Sequence, residues 1–242
     1  MKKISLIISL FVCFSATIYG QKQKTIYYNT DWEVCDKVDA KYYRIIKLDK
    51  ENKPVGKVKD YYSTGELQGE CYLSFFDPNS KDVLDSLCIW YNKNGNISQT
   101  ANFDNGILSG EYKTFHDSGE LSTIGNYLND NRIGEWKSYY LDGSIYTIKN
   151  YNEEGLLNGE WRHYYQDGQL KTKLLFKNNL LMEVLDCRDP LGYQLEIGSF
   201  KNGNGVVNIY DDLGFLAEKA TFEEGKLIES VDYSIIEETE VE

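Results

Sequence analysis

The sequence predicts an all-β fold, an antiparallel meander of about seven stacked β-hairpin units behind an N-terminal cap. Three observations lead there. A turn glycine recurs as Gly65, Gly95, Gly119, Gly143, Gly168, Gly192 and Gly214, at intervals of 30, 24, 24, 25, 24 and 22 residues. Eight residues after each glycine stands an apolar or aromatic residue: Leu73, Phe103, Tyr127, Tyr151, Phe176, Phe200 and Phe222. The composition agrees, with 20 Gly and 20 Tyr but only 3 Pro and 2 Met in 242 residues, a balance that favours strands joined by many turns. With 41% hydrophobic residues the chain can also build a core.

Taken in order, residues 1–20 read as a secretory signal peptide. Lys2 and Lys3 precede an apolar run from Ile4 to Phe14, and Gly20-Gln21 is the expected cleavage site. The run is too short to span a bilayer, and Leu10-Phe11-Val12 before Cys13 lacks the small residues of a lipidation site. Cleavage would leave 24 basic against 38 acidic residues. That acidity argues against nucleic acid or anionic lipid as a partner, since both need a basic footprint. The expected location is periplasmic or extracellular, and the protein is not expected to be integral to a membrane.

Residues 21–55 carry no repeat register and read as a cap, with Tyr42 to Leu48 as an edge strand. The repeat region covers 56–229. Counting from the turn glycine, position −7 holds Val58, Cys88, Tyr112, Trp136, Trp161, Leu185 and Val207. Position −4 holds Tyr61, Tyr91, Phe115, Tyr139, Tyr164, Arg188 and Tyr210, and position +2 holds Leu67, Ile97, Leu121, Ile145, Leu170, Gln194 and Leu216. The −7, +2 and +8 columns are expected to pack as core. Asn94-Gly95, Asp142-Gly143 and Asp167-Gly168 read as two-residue turns, because glycine accepts positive φ. Asn105-Gly106, Glu154-Gly155, Asn202-Gly203 and Glu224-Gly225 mark the second turn of a unit. The unit around Gly192 breaks two columns and carries Pro190, so a distortion is expected there. Residues 230–242 form an acidic tail ending in Glu237-Glu238-Thr239-Glu240-Val241-Glu242.

The first unit is about six residues longer than the others, and Asp77 to Asp82 is turn chemistry of that length. A hairpin with this loop pairs Phe76 with Val83, Phe75 with Leu84 and Leu73 with Ser86, which brings Cys71 opposite Cys88. Opposed strand residues lie within disulfide reach, so a Cys71–Cys88 bridge is expected in an oxidising compartment. It would close an 18-residue loop, a stabilisation of about 3 kcal/mol on the chain-entropy model. The alternative is two free thiols, with Cys88 only filling the −7 column. Cys35 and Cys187 have no pairing read from the sequence.

Little else points to chemistry. His116 and His163 occupy different columns and read as exposed strand residues without convergent ligands, so no metal, cofactor or catalytic site is expected. Glu111, Glu135 and Glu160 recur in register, and a row repeated at every hairpin reads as a solvated face rather than a catalytic pair. Adjacent rings such as Tyr61-Tyr62, Tyr139-Tyr140 and Tyr164-Tyr165 must point to opposite faces. One ring of each pair is therefore available for a partner. The expected partner-binding set is Tyr62, Tyr140 and Tyr165, with Tyr61, Tyr139 and Tyr164 as the companion set.

The segments Gly-Glu-Trp-Lys-Ser-Tyr-Tyr-Leu-Asp-Gly (134–143) and Gly-Glu-Trp-Arg-His-Tyr-Tyr-Gln-Asp-Gly (159–168) match at seven of ten positions, and 110–119 is the same unit with drift. This unit resembles the variant form of the MORN repeat, over roughly 56–229 and most strongly over 110–176. The resemblance implies a β-hairpin sheet or solenoid used as a scaffold, with no catalytic residues. It also implies a link to bacterial members labelled antitoxin-like. The expected function is non-catalytic binding of another protein through a tyrosine-lined face. The alternatives are antitoxin- or immunity-like neutralisation of a toxic partner, and glycan binding at the cell envelope.

Overall fold

The computed structural model describes residues 21–78 and 80–233. The expected signal peptide and most of the acidic tail lie outside these residues. The strands are β1 (Lys22–Tyr28), β2 (Tyr42–Leu48), β3 (Val58–Tyr62), β4 (Leu67–Phe75), β5 (Val83–Tyr91), β6 (Ile97–Asp104), β7 (Ile107–Phe115) and β8 (Leu121–Leu128). They continue as β9 (Asn131–Tyr139), β10 (Ile145–Tyr151), β11 (Gly159–Tyr164), β12 (Leu170–Lys177), β13 (Leu180–Cys187), β14 (Gly205–Tyr210), β15 (Leu216–Glu223) and β16 (Lys226–Asp232). Strands β1 to β13 pair in chain order in one open antiparallel sheet, and β14 to β16 form a second. Among the described residues there is no helix, and hence none long and apolar enough to cross a membrane.

The all-β hairpin meander is therefore what the chain builds. The edge strand expected at Tyr42–Leu48 is present, but it is the inner partner of β1 and joins the repeat region directly through β3. The distortion expected around Pro190 is the break between the sheets: between β13 and β14 only isolated bridges such as Arg188↔Gln194 remain.

The turns differ from the two-residue form expected at the repeat glycines. The Gly95 amide donates to the Asn92 carbonyl (3.0 Å), and the Asn92 amide donates to the Asn96 carbonyl (2.9 Å). The same pair of bonds recurs at Gly65, Gly119, Gly143 and Gly168. Only the glycine is left-handed, at φ +84 in Gly95, while the preceding Asn94 is not. This is a three-residue loop closed by a left-handed glycine, in which the side chain before the glycine is free of positive φ. Gly155 belongs to this class too. Two-residue turns with both φ positive close the opposite ends, at Asn105-Gly106, Asn129-Asp130, Asn178-Asn179, Asn202-Gly203 and Glu224-Gly225.

A bulge follows six of the seven repeat turns, all but that at Gly192. In the Gly168 unit Tyr164 pairs with Leu170 but His163 pairs with Thr172, leaving Lys171 as the extra residue. Gln68, Ser98, Ser122, Tyr146 and Ala217 hold the same position in their units. One extra residue flips the alternation of side chains beyond it. The +2 column therefore does not share a face with +6 and +8, which corrects the expectation that −7, +2 and +8 form one core.

The core face is built instead from cross-strand pairs of position −7 with position +6: Val58↔Cys71, Cys88↔Ala101, Tyr112↔Gly125, Trp136↔Lys149, Trp161↔Leu174 and Val207↔Ala220. Large residues oppose small ones where the face is densest. The Trp136 ring lies over Gly125 and is ringed by Tyr112, Tyr127 and Tyr151, with centroids 5.8, 5.0 and 6.3 Å away. Its indole N–H donates to the Asn126 carbonyl (3.2 Å). Ile46, Leu48, Val58, Cys71, Leu73 and Cys88 form a buried cluster at the N-terminal end. Leu181, Phe200 and Val207 form another where the two sheets meet.

Candidate functional site

On the face opposite this core, each of the first five repeat hairpins carries one aromatic–aliphatic pair. The pairs are Tyr61↔Leu67, Tyr91↔Ile97, Phe115↔Leu121, Tyr139↔Ile145 and Tyr164↔Leu170. All ten side chains are half-exposed. Two strands per unit at about 4.8 Å each place successive pairs roughly 10 Å apart. Beside this ridge runs a stripe of ion pairs in the same register: Glu111–Lys113 (2.6 Å), Glu135–Lys137 (2.8 Å) and Glu160–Arg162, with Lys173 also on Glu160 (2.7 Å). The glutamate row is thus neutralised strand by strand. Lys173 and Arg162, bonded to the Glu160 carboxylate, hold it below the usual carboxylate range.

The three tyrosines expected to face a partner sit on the other side of the sheet. Tyr62, Tyr140 and Tyr165 turn toward the core face, and each hydroxyl donates to a carbonyl of the next unit: Tyr91 (2.9 Å), Tyr164 (2.8 Å) and Arg188 (2.8 Å). Tyr165 is only 7% exposed, and burial pushes its hydroxyl pKa up to about 12. His116 holds the same position in its unit, and its Nε2 lies 3.2 Å from the Tyr139 carbonyl, which can only accept. Position −3 is thus a column of inter-unit ties. Sequence reasoning saw adjacent tyrosines but had no signal for which ring turned inward.

The histidines are half-buried rather than exposed. His163 lies against the Tyr146 ring (4.7 Å), and its Nε2 is buried without a hydrogen-bond partner. Burial, reinforced by Lys171, lowers its pKa. Among the described residues no group of three or more His, Cys, Asp or Glu side chains is placed to hold a metal.

A cleft of about 830 Å³ lies at the N-terminal end of the core face, between the 29–41 loop and the long hairpin loop after β4. Its floor is Arg44, 4% exposed, bonded to Asp60 through Nε (2.7 Å) and Nη2 (2.9 Å) and to Asp82 through Nη1 (2.8 Å). Burial alone would lower the guanidinium pKa, but Asp60 and Asp82 raise it, and Tyr28 stacks beside it at 5.5 Å. Burial raises the Asp60 pKa in spite of Arg44. Asp82 belongs to the inserted Asp77–Asp82 segment, so this ion pair ties the insertion to the sheet.

Trp32 walls the cleft, stacked on Tyr42 at 4.7 Å. It stands where a turn glycine stands in the repeats, at φ 60, with its amide donating to the Asn29 carbonyl (3.3 Å). Asn52 does the same at φ 61. The cap therefore contains two repeat-type turns with no glycine to announce them. A bulky residue in this region is strained, and such strain persists only where surrounding contacts impose it.

Cys71 also lines this cleft, and Cys88 lies deeper in the same cluster. Gly69↔Trp90 and Glu70↔Ile89 hold the expected register. At Cys71, between Glu70 and Tyr72, it shifts, so that Leu73 meets Leu84 rather than Ser86, and after a second shift Phe75 meets Val83 rather than Leu84. Cys35, Cys71, Cys88 and Cys187 are free thiols in this structure.

Comparison with known proteins adds the family. No curated protein sequence matches the chain. Among solved structures, a crystal structure of a GtfA/B complex bound to UDP and GlcNAc aligns at 12% identity and a TM-score of 0.21. The alignment covers 50% of this chain and 22% of that one, a likeness too slight to bear on fold or function. The MORN repeat variant family matches at five stretches, 54–74, 84–105, 108–129, 132–153 and 157–178. Each stretch is centred on one repeat glycine and contains one −4/+2 pair, and the chain belongs to the MORN repeat variant family.

Proposed function

We propose that this chain is an exported, non-catalytic repeat scaffold that binds another protein along the ridge of −4/+2 pairs. The observation that carries the reading is the ridge itself. Five half-exposed aromatic–aliphatic pairs stand in line on the face that the core does not use. Tyrosine offers contact area at little entropic cost, and the flanking ion pairs supply a polar rim. The companion tyrosines Tyr61, Tyr139 and Tyr164 replace Tyr62, Tyr140 and Tyr165 as the contact set, because the latter spend their hydroxyls between units.

The test is capture from envelope fractions by the purified protein and two triple variants. Tyr61→Ala, Tyr139→Ala and Tyr164→Ala together are expected to abolish capture of a stoichiometric protein while circular dichroism stays unchanged. Capture undiminished in that variant removes the ridge from the reading, and retention on polysaccharide alone favours glycan binding. Tyr62→Ala, Tyr140→Ala and Tyr165→Ala together are expected to lower the melting temperature first. Fusing residues 1–24 to a reporter tests export, and a reporter left in the cytosol removes that part.

A further inference from the structure

We propose that Cys71 and Cys88 form a redox-active cross-strand pair beside the N-terminal cleft, closing to a disulfide with a small-molecule disulfide as oxidant. Three placements carry this. Val58↔Cys71 and Cys88↔Ala101 put both side chains on the core face, in one row across β3 to β6. Glu70↔Ile89 is the last pair of the β4–β5 ladder before its register shifts, and Cys71 and Cys88 are the residues one step on from it in the two strands. Both cysteines belong to one buried cluster with Val58 and Leu73. Adjacent strand residues on one face have the Cβ spacing a disulfide needs, and the local bulge gives the backbone slack to adjust.

Access is unequal. Cys71 is 6% exposed and lines the cleft, whereas Cys88 is fully buried at 0%. Cys71 is therefore the entering sulfur. Its thiolate attacks one sulfur of the oxidant, forming a mixed disulfide and expelling one thiolate. The Cys88 thiolate then attacks the Cys71 sulfur, forming the Cys71–Cys88 bond and expelling the second. Both cysteines are oxidised, two protons leave, and the oxidant is reduced to two thiols. The neighbouring Cys88 side chain, and then burial, push the Cys71 thiol pKa up. Closure in the folded protein is therefore slow at neutral pH and quickens as pH rises.

The test uses the full chain, reduced and then incubated with oxidised glutathione, quenched by alkylation in denaturant and mapped without reduction. The expected product links the Cys71 and Cys88 peptides, with Cys35 and Cys187 alkylated. Alkylation of both Cys71 and Cys88 after prolonged oxidation at pH 8.5, roughly the free thiol pKa, overturns the proposal, as does a bridge from either to Cys35 or Cys187. Cys88→Ser is expected to trap a glutathione adduct on Cys71, whereas Cys71→Ser leaves Cys88 unmodified. An adduct on Cys88 in the folded Cys71→Ser protein overturns the order of attack. The wild-type map decides the bridge itself if either variant fails to fold.

Discussion

Gly125→Ala isolates one packing contact of the core face. A Cβ built on Gly125 would lie 2.2 Å from the Trp136 ring atoms Cδ2 and Cε2, where ordinary contact begins near 3.4 Å. The ring or the strand must move by more than an ångström, and Trp136 is held on its other sides by Tyr112, Tyr127, Tyr151 and the Arg132 guanidinium 4.6 Å away. Overpacking of this kind costs about 1–3 kcal/mol. Gly125 is not left-handed, so the substitution also restricts the unfolded chain and returns about 0.4–1 kcal/mol. The net expectation is a loss of about 1–2 kcal/mol, or roughly 2–8 °C in melting temperature for a chain of this size.

Thermal and urea unfolding followed by tryptophan fluorescence measure it. Gly143→Ala is the reference: nothing lies within 4 Å of its Cβ position, but φ is +84, so the backbone alone costs about 1–2 kcal/mol. Trp136→Leu separates the two mechanisms. In that background the cost of Gly125→Ala should largely vanish, while that of Gly143→Ala should persist. Equal cost of Gly125→Ala with and without the indole, or no cost at all, would falsify the ring-on-glycine contact.

Three further outcomes are expected. Tyr165→Phe should destabilise by about 1–3 kcal/mol, more than Tyr140→Phe at about 0.5–1.5 kcal/mol, because the bond to the Arg188 carbonyl is the more buried one; reversed order in urea unfolding counts against the inter-unit ties. Arg44→Met should cost about 3–5 kcal/mol by stranding Asp60 in the core. Asp60 already has a raised pKa, so its contribution to stability is fully present below the ordinary carboxylate value and is lost as pH rises through the folded one. The variant should therefore recover part of the loss on acidification, and a loss independent of pH would point elsewhere. Glu160 has the opposite sign: its depressed pKa contributes stability above the ordinary carboxylate value that is lost as pH falls through the folded one, so Glu160→Gln should flatten the acid limb of the unfolding curve.

The strands and their succession were legible because glycine and aromatic columns repeat with the period of the hairpin. The bulge was not. Gln68, Ser98, Ser122, Tyr146, Lys171 and Ala217 share a backbone role but range from a hydroxyl to an aromatic ring and an ammonium, so no column of residue types marks it. Without it, alternation places +2 with +8, and the ridge is mistaken for core. The +6 column was hidden for a related reason. It is defined by what −7 demands, and ranges from Gly125 under a tyrosine and an indole to Leu174 beside Trp161. In the cap, Trp32 and Asn52 take the left-handed place that glycine holds elsewhere, so two turns of the repeat type carried no glycine signal.

The ties at position −3 give the array a polarity. Tyr62, His116, Tyr140 and Tyr165 all reach toward the C-terminal neighbour and none toward the N-terminal one. Cutting the chain after a unit therefore strands a hydrogen-bond donor on the new last hairpin, whereas removing units from the front frees only a carbonyl with other lone-pair capacity. Where the cut end stays shielded from water, an unmade donor is the costlier of the two. The array is thus better suited to losing units from its beginning than from its end, and the second sheet, placed after the last tie, occupies the end where a bare unit would be least stable.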